Sequence, residues 1–339
     1  MNSMEEKIKS IIYGLALGDS LSSYSALHRV SLLAPKRAMR MRTLGEYADH
    51  QLQTTRPSPY THAQPGYLLN PSPSDDAEWF AFTALNFLKP ESPVEEKWIT
   101  LSKSRDLVRA RTGTKIALRN LDQGSSAPNS GHDNPHYFDD IACIRALAAG
   151  ILNPNSTAAA ADLALSDAQV THSEDGIWCA QATAVFVSAF LSGSSTSESV
   201  SKAMEQLPAG SWSRRIVEKA IEVADGEKSP IARAMKLEEK CVDRIYSYAI
   251  SAPETLSLLF AHTLNSASAE ELILSTYLHK RNLDSLPALT GAVASLIFKD
   301  SWIPESYLNR TLILDGICIP DLKGVDLSEI SIRLSAMAK

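Results

Sequence analysis

A chain of 339 residues that is 44% hydrophobic and 21% charged has the composition of a globular protein with a substantial core. Its formal net charge of −6 and isoelectric point near 5.8 leave no polycationic surface, which removes the electrostatic drive of generic nucleic-acid binding. The cysteines Cys143, Cys179, Cys241 and Cys318 are far apart and form no CxxC pair; three lie in apolar stretches, where burial as small hydrophobes is expected, and a reducing cytosol fits this usage.

The first residues lack a basic stretch followed by an apolar one, so no secretory signal is expected. Residues 4–21 predict a helix, with Ile8, Ile11, Ile12, Leu15 and Leu21 on one stripe and Gly14 and Gly18 one turn apart. Each glycine costs about 1 kcal/mol relative to alanine in an exposed helix, so the pair predicts close approach of a second helix or of a ligand. Asp19 follows, either as a solvated side chain or as part of a site.

Residues 34–72 break every period with five prolines, Pro35, Pro57, Pro59, Pro65 and Pro71, and several polar residues, and open on the basic cluster Lys36, Arg37, Arg40 and Arg42. A long surface excursion is expected there. Helical spacing resumes after Ser74, where Asp75 and Asp76 precede Trp79, Phe80, Leu85 and Phe87. Ser74 suits an N-cap, and the two carboxylates suit the positive end of the helix dipole. Helical patterns continue over 93–109 and 113–121, and an irregular insertion over 123–138 gathers His132, Asp133, His136 and Tyr137. Asp139 and Asp140 open an apolar helix, Ile141 to Ile151, whose lone Arg145 needs a carboxylate or ligand partner if buried.

His172 precedes a helix over 175–191, either as a group near a site or as a simple pre-helix polar residue. The apolar run Ala182 to Leu191 is too short to span a bilayer unaided. Amphipathic helices follow over 194–240, then helices over 253–264 and 268–279. Asn282, Asp284 and Ser285 place oxygen donors before another helix, with Pro287 tolerated in its first turn. The run Leu312-Ile-Leu314 predicts a short strand, but period-two alternation is otherwise nearly absent. A single all-α domain over 1–339, soluble and cytoplasmic with no membrane partner, is the expected architecture.

Hard divalent cations take oxygen ligands, and Ser74, Asp75, Asp76, Asn282, Asp284 and Ser285 would supply such a set for one or two Mg²⁺ ions at two helix N-termini. No cysteine–histidine set has zinc spacing, and neither a P-loop nor a Rossmann fingerprint is present.

These segments resemble the ADP-ribosylglycohydrolase family. Gly14-Leu-Ala-Leu-Gly-Asp-Ser-Leu-Ser22 is similar to its G-x-A-x-G-D-A-x-G signature, and Ser74-Asp-Asp-Ala77 to its [ST]-D-D-T. Lys280-Arg-Asn-Leu-Asp-Ser285, the small-residue helix after it and Ile303-Pro304 are similar to the late G-G-D-T-D-T region. The resemblance implies an all-α, Mg²⁺-dependent hydrolase that cleaves the C1″ linkage between ADP-ribose and a modified acceptor. The partner would be an ADP-ribosylated protein or a small ADP-ribose conjugate; the alternative is an altered relative that binds ADP-ribose or serves a structural role. Ser74, Asp75, Asp76, Asn282, Asp284 and Ser285 would be the metal set, and Gly18, Asp19 and His172 would approach the bound group. The chain departs from the family at Asn282, at Arg111-Thr-Gly113 where an Asp-x-Gly is usual, and in having no acid over Leu21 to Arg29. Proton chemistry would then pass to Asp139, Asp140 or Asp133.

Overall fold

In the computed structural model, residues 4–25, 74–243, 250–279, 281–298 and 302–338 are described. The basic cluster Lys36, Arg37, Arg40 and Arg42, and the whole 34–72 excursion, lie outside them. Helices α1 (Met4–Ser25), α2 (Asp75–Phe87), α3 (Val94–Ser102), α4 (Thr112–Asp122) and the one-turn α5 (Asn129–His132) come first. Next are α6 (Ile141–Leu152), α7 (Thr157–Ala168), α8 (Glu174–Leu191), α9 (Thr196–Met204), α10 (Trp212–Ala224) and α11 (Pro230–Lys240). The chain closes with α12 (Ala252–Asn265), α13 (Ala269–Tyr277), α14 (Ser285–Ile297), the short α15 (Glu305–Leu308) and α16 (Leu327–Met337). Among the described residues there is no sheet, so the fold is all-α as expected.

The glycines of α1 explain its place. A Cβ on Gly14 would lie 2.3 Å from the Gly291 carbonyl oxygen, and one on Gly18 would lie 2.2 Å from that of Pro287. Helices α1 and α14 therefore cross almost backbone to backbone, the closest approach that helix packing permits. The close neighbour of those glycines is a second helix rather than a ligand.

Helix α6 runs through the middle of the molecule, buried along its whole length, and packs on α2, α7 and α8. Its Arg145 finds the carboxylate that burial demands: Nε donates to Asp167 Oδ2 at 2.6 Å and Nη2 to Thr171 Oγ1 at 2.7 Å. The guanidinium also lies over the Trp98 ring, which stacks on Trp79. Buried apolar side chains from α1 through α16 form one contiguous cluster, and all four cysteines are buried and unpaired.

The C-terminal segment is fastened to α2 by one side chain. The buried Glu78 carboxylate accepts from the backbone N–H groups of Ile317, Cys318 and Ile319 at 2.7, 2.8 and 2.9 Å. The strand expected over 312–314 reduces to an isolated bridge between Ile313 and Asp326, because its neighbour is the tight turn before α16 and no second strand. No helix among the described residues is long and apolar enough to cross a membrane.

Candidate functional site

Four helix N-termini converge on one point, those of α2, α4, α6 and α14, with the first turn of α12 beside them. Three of them deliver carboxylates where unpaired N–H groups and the helix dipole favour negative charge, while the residue before α4 is the cation Arg111. This explains how the fold tolerates Asp75, Asp76, Asp139, Asp140 and Asp284 so close together.

Ser74 stands at the N-cap of α2, but its side chain makes no cap to the helix. The cap comes from α1: the wholly buried Asp19 accepts from the backbone N–H groups of Ser74 at 2.6 Å and Ala77 at 3.0 Å, and from the Ser74 hydroxyl. Burial, reinforced by nearby Asp75, pushes the Asp19 carboxyl up to about 7 despite those donors. Gly18 is committed to the α14 contact. The Ser74 hydroxyl also reaches Asp75 Oδ1 at 3.1 Å, and both residues are partly exposed.

At the centre of the cluster lies Arg111, the residue before α4, with its side chain only 9% exposed. Nη1 donates to Asp140 Oδ1. Nη2 lies 2.6 Å from Ser285 Oγ, 3.3 Å from Asp284 Oδ2 and 3.4 Å from Asp76 Oδ1. The Ser285 hydroxyl in turn donates to Asp76 Oδ1 at 3.1 Å. Burial works against the charge of Arg111, yet Asp140, Asp284, Asp76 and Asp139 together hold its pKa well above the ordinary guanidinium value. Burial and Asp75 push Asp76 well up, with Arg111 opposing, and burial lifts Asp140 to about 6 against Arg111 and the Thr255 hydroxyl, which donates at 2.6 Å.

Asp139 is held from the other side. Its Oδ1 accepts from His172 Nε2 at 3.0 Å and from the Ile141 N–H at 3.1 Å. Thr171 Oγ1, which accepts from Arg145, lies 2.7 Å from His172 Nδ1, and the imidazole faces Asp139 through Nε2. Burial pushes Asp139 up, but the His172 imidazole and Arg111 outweigh it and leave the carboxyl below its ordinary range. Gly113 permits the arrangement, since a Cβ there would fall 2.6 Å from Asp139 Oδ2.

Of the residues singled out in the sequence, Ser74, Asp75, Asp76, Asp284, Ser285, Asp19, Asp139, Asp140 and His172 thus meet in one cluster. Asn282 is buried at its margin and turns its amide nitrogen to Glu254 at 3.5 Å. Asp133 stays apart, exposed and paired with His132. Sequence reasoning missed Thr255 and the central part of Arg111; the only signal was a basic residue where an acid was expected. Two cavities, of about 310 Å³ beside Phe82 and Leu322 and about 480 Å³ beside Arg105 and Arg119, open elsewhere and are not lined by the cluster's carboxylates.

The expected Mg²⁺ can be tested against these contacts. Asp76, Asp284 and Ser285 all direct oxygens at the Arg111 guanidinium, and the Ser285 proton is spent on Asp76. Among the described residues, no three His, Cys, Asp or Glu side chains are grouped to hold a metal ion. In this arrangement the donor set fits a guanidinium and does not fit a divalent cation, whose oxygens must close to about 2.0–2.1 Å around it for Mg²⁺.

The family model for ADP-ribosylglycohydrolase matches residues 1–328. No curated protein sequence matches the chain. Among solved structures, one described as an ADP-ribosylglycohydrolase-related protein complex aligns over 100% of both chains with a TM-score of 0.60 at 14% identity, a likeness of fold. The match over nearly the whole length places the chain in the ADP-ribosylglycohydrolase family, a family of glycohydrolases.

Proposed function

We propose that this chain hydrolyses the C1″ linkage between ADP-ribose and a modified acceptor at the carboxylate cluster. The observation that carries the reading is the pair Asp75 and Asp284, both partly exposed, standing over a buried floor of Asp76, Asp140 and Arg111. Cleavage breaks the bond from C1″ to the acceptor, which leaves with a proton, and joins C1″ to a water oxygen. The sugar is cationic at the transition state. Carboxylates outnumber the single guanidinium, and preorganised negative charge stabilises such a cation. Asp75 and Asp284 are the groups able to reach substrate and to accept the water proton, while Arg111 and His172 hold the buried acids in place. Magnesium, expected from the resemblance, has no part in this reading because its donors are turned on Arg111.

The test is release of ADP-ribose from arginine- and serine-modified protein by the wild type, Asp75→Asn and Asp284→Asn. The wild type should turn over, and each variant should lose about 100-fold or more in kcat/KM, the usual scale for a proton-transfer group. An inert wild type across several linkages contradicts the reading.

A second reading, binding of ADP-ribose without turnover, is favoured by the state of Asp139 and Asp140. Asp140 is buried with both oxygens engaged, by Arg111 and Thr255, and Asp139 is buried with Oδ1 held by His172 and Ile141. Calorimetry that detects ADP-ribose binding alongside no release from any conjugate selects it.

A further inference from the structure

We infer that the Arg111 guanidinium is a built-in cation that takes the place of a divalent metal, so that the acidic floor between α2, α6 and α14 assembles and stays assembled without one. The inference rests on the site itself and does not depend on whether the site turns over substrate.

The geometry is that of a cation bridging elements. One nitrogen touches the N-terminal residues of two helices far apart in sequence, Asp76 of α2 and Asp284 and Ser285 at α14, while the other reaches Asp140 at α6. Pulling several carboxylates from separate elements onto one centre is what a bound divalent cation does, and here the chain supplies the centre. A planar guanidinium with donors in a fixed fork suits the task better than a lysine ammonium, because two nitrogens satisfy different oxygens at once. The position is also enforced. Arg111 is extended and leads directly into α4, and Gly113, two residues on, lets that helix press against Asp139 and the His136 carbonyl, where any Cβ would clash.

The same contacts exclude a metal. An ion between Asp76, Asp284 and Ser285 would occupy the volume of Nη2, and it would sit against a buried positive charge at short range, where repulsion is weakly screened. Replacing Arg111 by aspartate removes one positive charge and adds one negative charge, a change of two units that a divalent cation balances. The substitution therefore turns an excluded ion into a required one.

The experiment is calorimetric titration of the unliganded protein with MgCl₂, with melting temperatures in Mg²⁺ and in EDTA, for the wild type, Arg111→Lys and Arg111→Asp. The wild type should show no saturable binding and the same melting temperature in both buffers. Arg111→Asp should gain saturable binding at least about tenfold tighter than any wild-type signal and melt higher in Mg²⁺ than in EDTA. Arg111→Lys, which keeps the charge, should ignore Mg²⁺ as the wild type does. Saturable Mg²⁺ binding by the wild type, with an EDTA-reversible melting shift, overturns the inference and requires no variant to fold. A folded Arg111→Asp that ignores Mg²⁺ overturns it too. Failure of the hydrolase reading would instead appear as absent ADP-ribose release, with these isotherms unchanged.

Discussion

His262, buried in α12, accepts from Arg233 Nε at its Nδ1 (3.3 Å) and lies 2.7 Å from His279 through the two Nε2 atoms. His279 Nδ1 faces Glu238 Oε1 at 3.0 Å, and Arg233 also holds Glu271. One proton fits between the two Nε2 atoms, and a proton on His262 Nδ1 would displace the Arg233 bond. Burial first, then His279 and Arg233, hold the His262 pKa well below the ordinary imidazole value. The unfolded chain binds the proton that the native state refuses. Stability from this residue is therefore complete above the unfolded pKa near 6.5 and is lost as pH falls from there toward the depressed native value. Denaturant titrations between pH 7.5 and pH 5 should show wild-type stability falling by up to about 1.4 kcal/mol per pH unit from this group, with a shallower slope in His262→Gln. Equal slopes would contradict the assignment. Little of this was legible in the sequence: Arg233, His262 and His279 sit in unremarkable helical runs, and only the fold gathers them. The same is true of Arg111, which lies 174 positions from Ser285.

Helices were the legible part. Stripes of apolar residues at helical spacing gave α1, α2, α4, α6, α8, α12, α13 and α14 to within a few residues at most ends. Helix α7 escaped notice because Thr157 to Ala168 is rich in alanine and has no contrasting stripe, although alanine favours helix strongly and Ser156 caps it by accepting from the Ala159 N–H at 3.2 Å. The C-terminal α16 was missed as well; three buried residues, Leu327, Ile330 and Leu334, carry its spacing. Ser74 looked like the cap of α2, but the cap is Asp19, 55 positions earlier, and no local pattern announces it. The crossing of α1 and α14 ties these facts together, since it is Gly18 that sets Asp19 against α2. Gly18→Ala would place a methyl group 2.2 Å from the Pro287 carbonyl, where backbone cannot yield cheaply. Thermal or chemical denaturation should show a loss of about 3 kcal/mol, the upper end of ordinary overpacking. A loss under about 1 kcal/mol would mean that the two helices part more easily than their contact implies.

At the scale of the whole molecule, an all-α scaffold brings four helix N-termini to one place and spends their favourable field on a crowd of carboxylates. The sequence pointed to that crowd through Ser74-Asp75-Asp76 and Asp284-Ser285, and it pointed to a family whose fold the chain adopts. It did not disclose which cation holds the carboxylates together, because that depends on where the Arg111 side chain lies in three dimensions. On the reading proposed above, ADP-ribosyl chemistry at this site proceeds on a guanidinium-centred floor. The most direct measurement is ADP-ribose release from modified protein by the wild-type enzyme, first in excess EDTA and then after saturation with MgCl₂. Equal rates in the two buffers are predicted; release that stops in EDTA and returns with Mg²⁺ would contradict the claim.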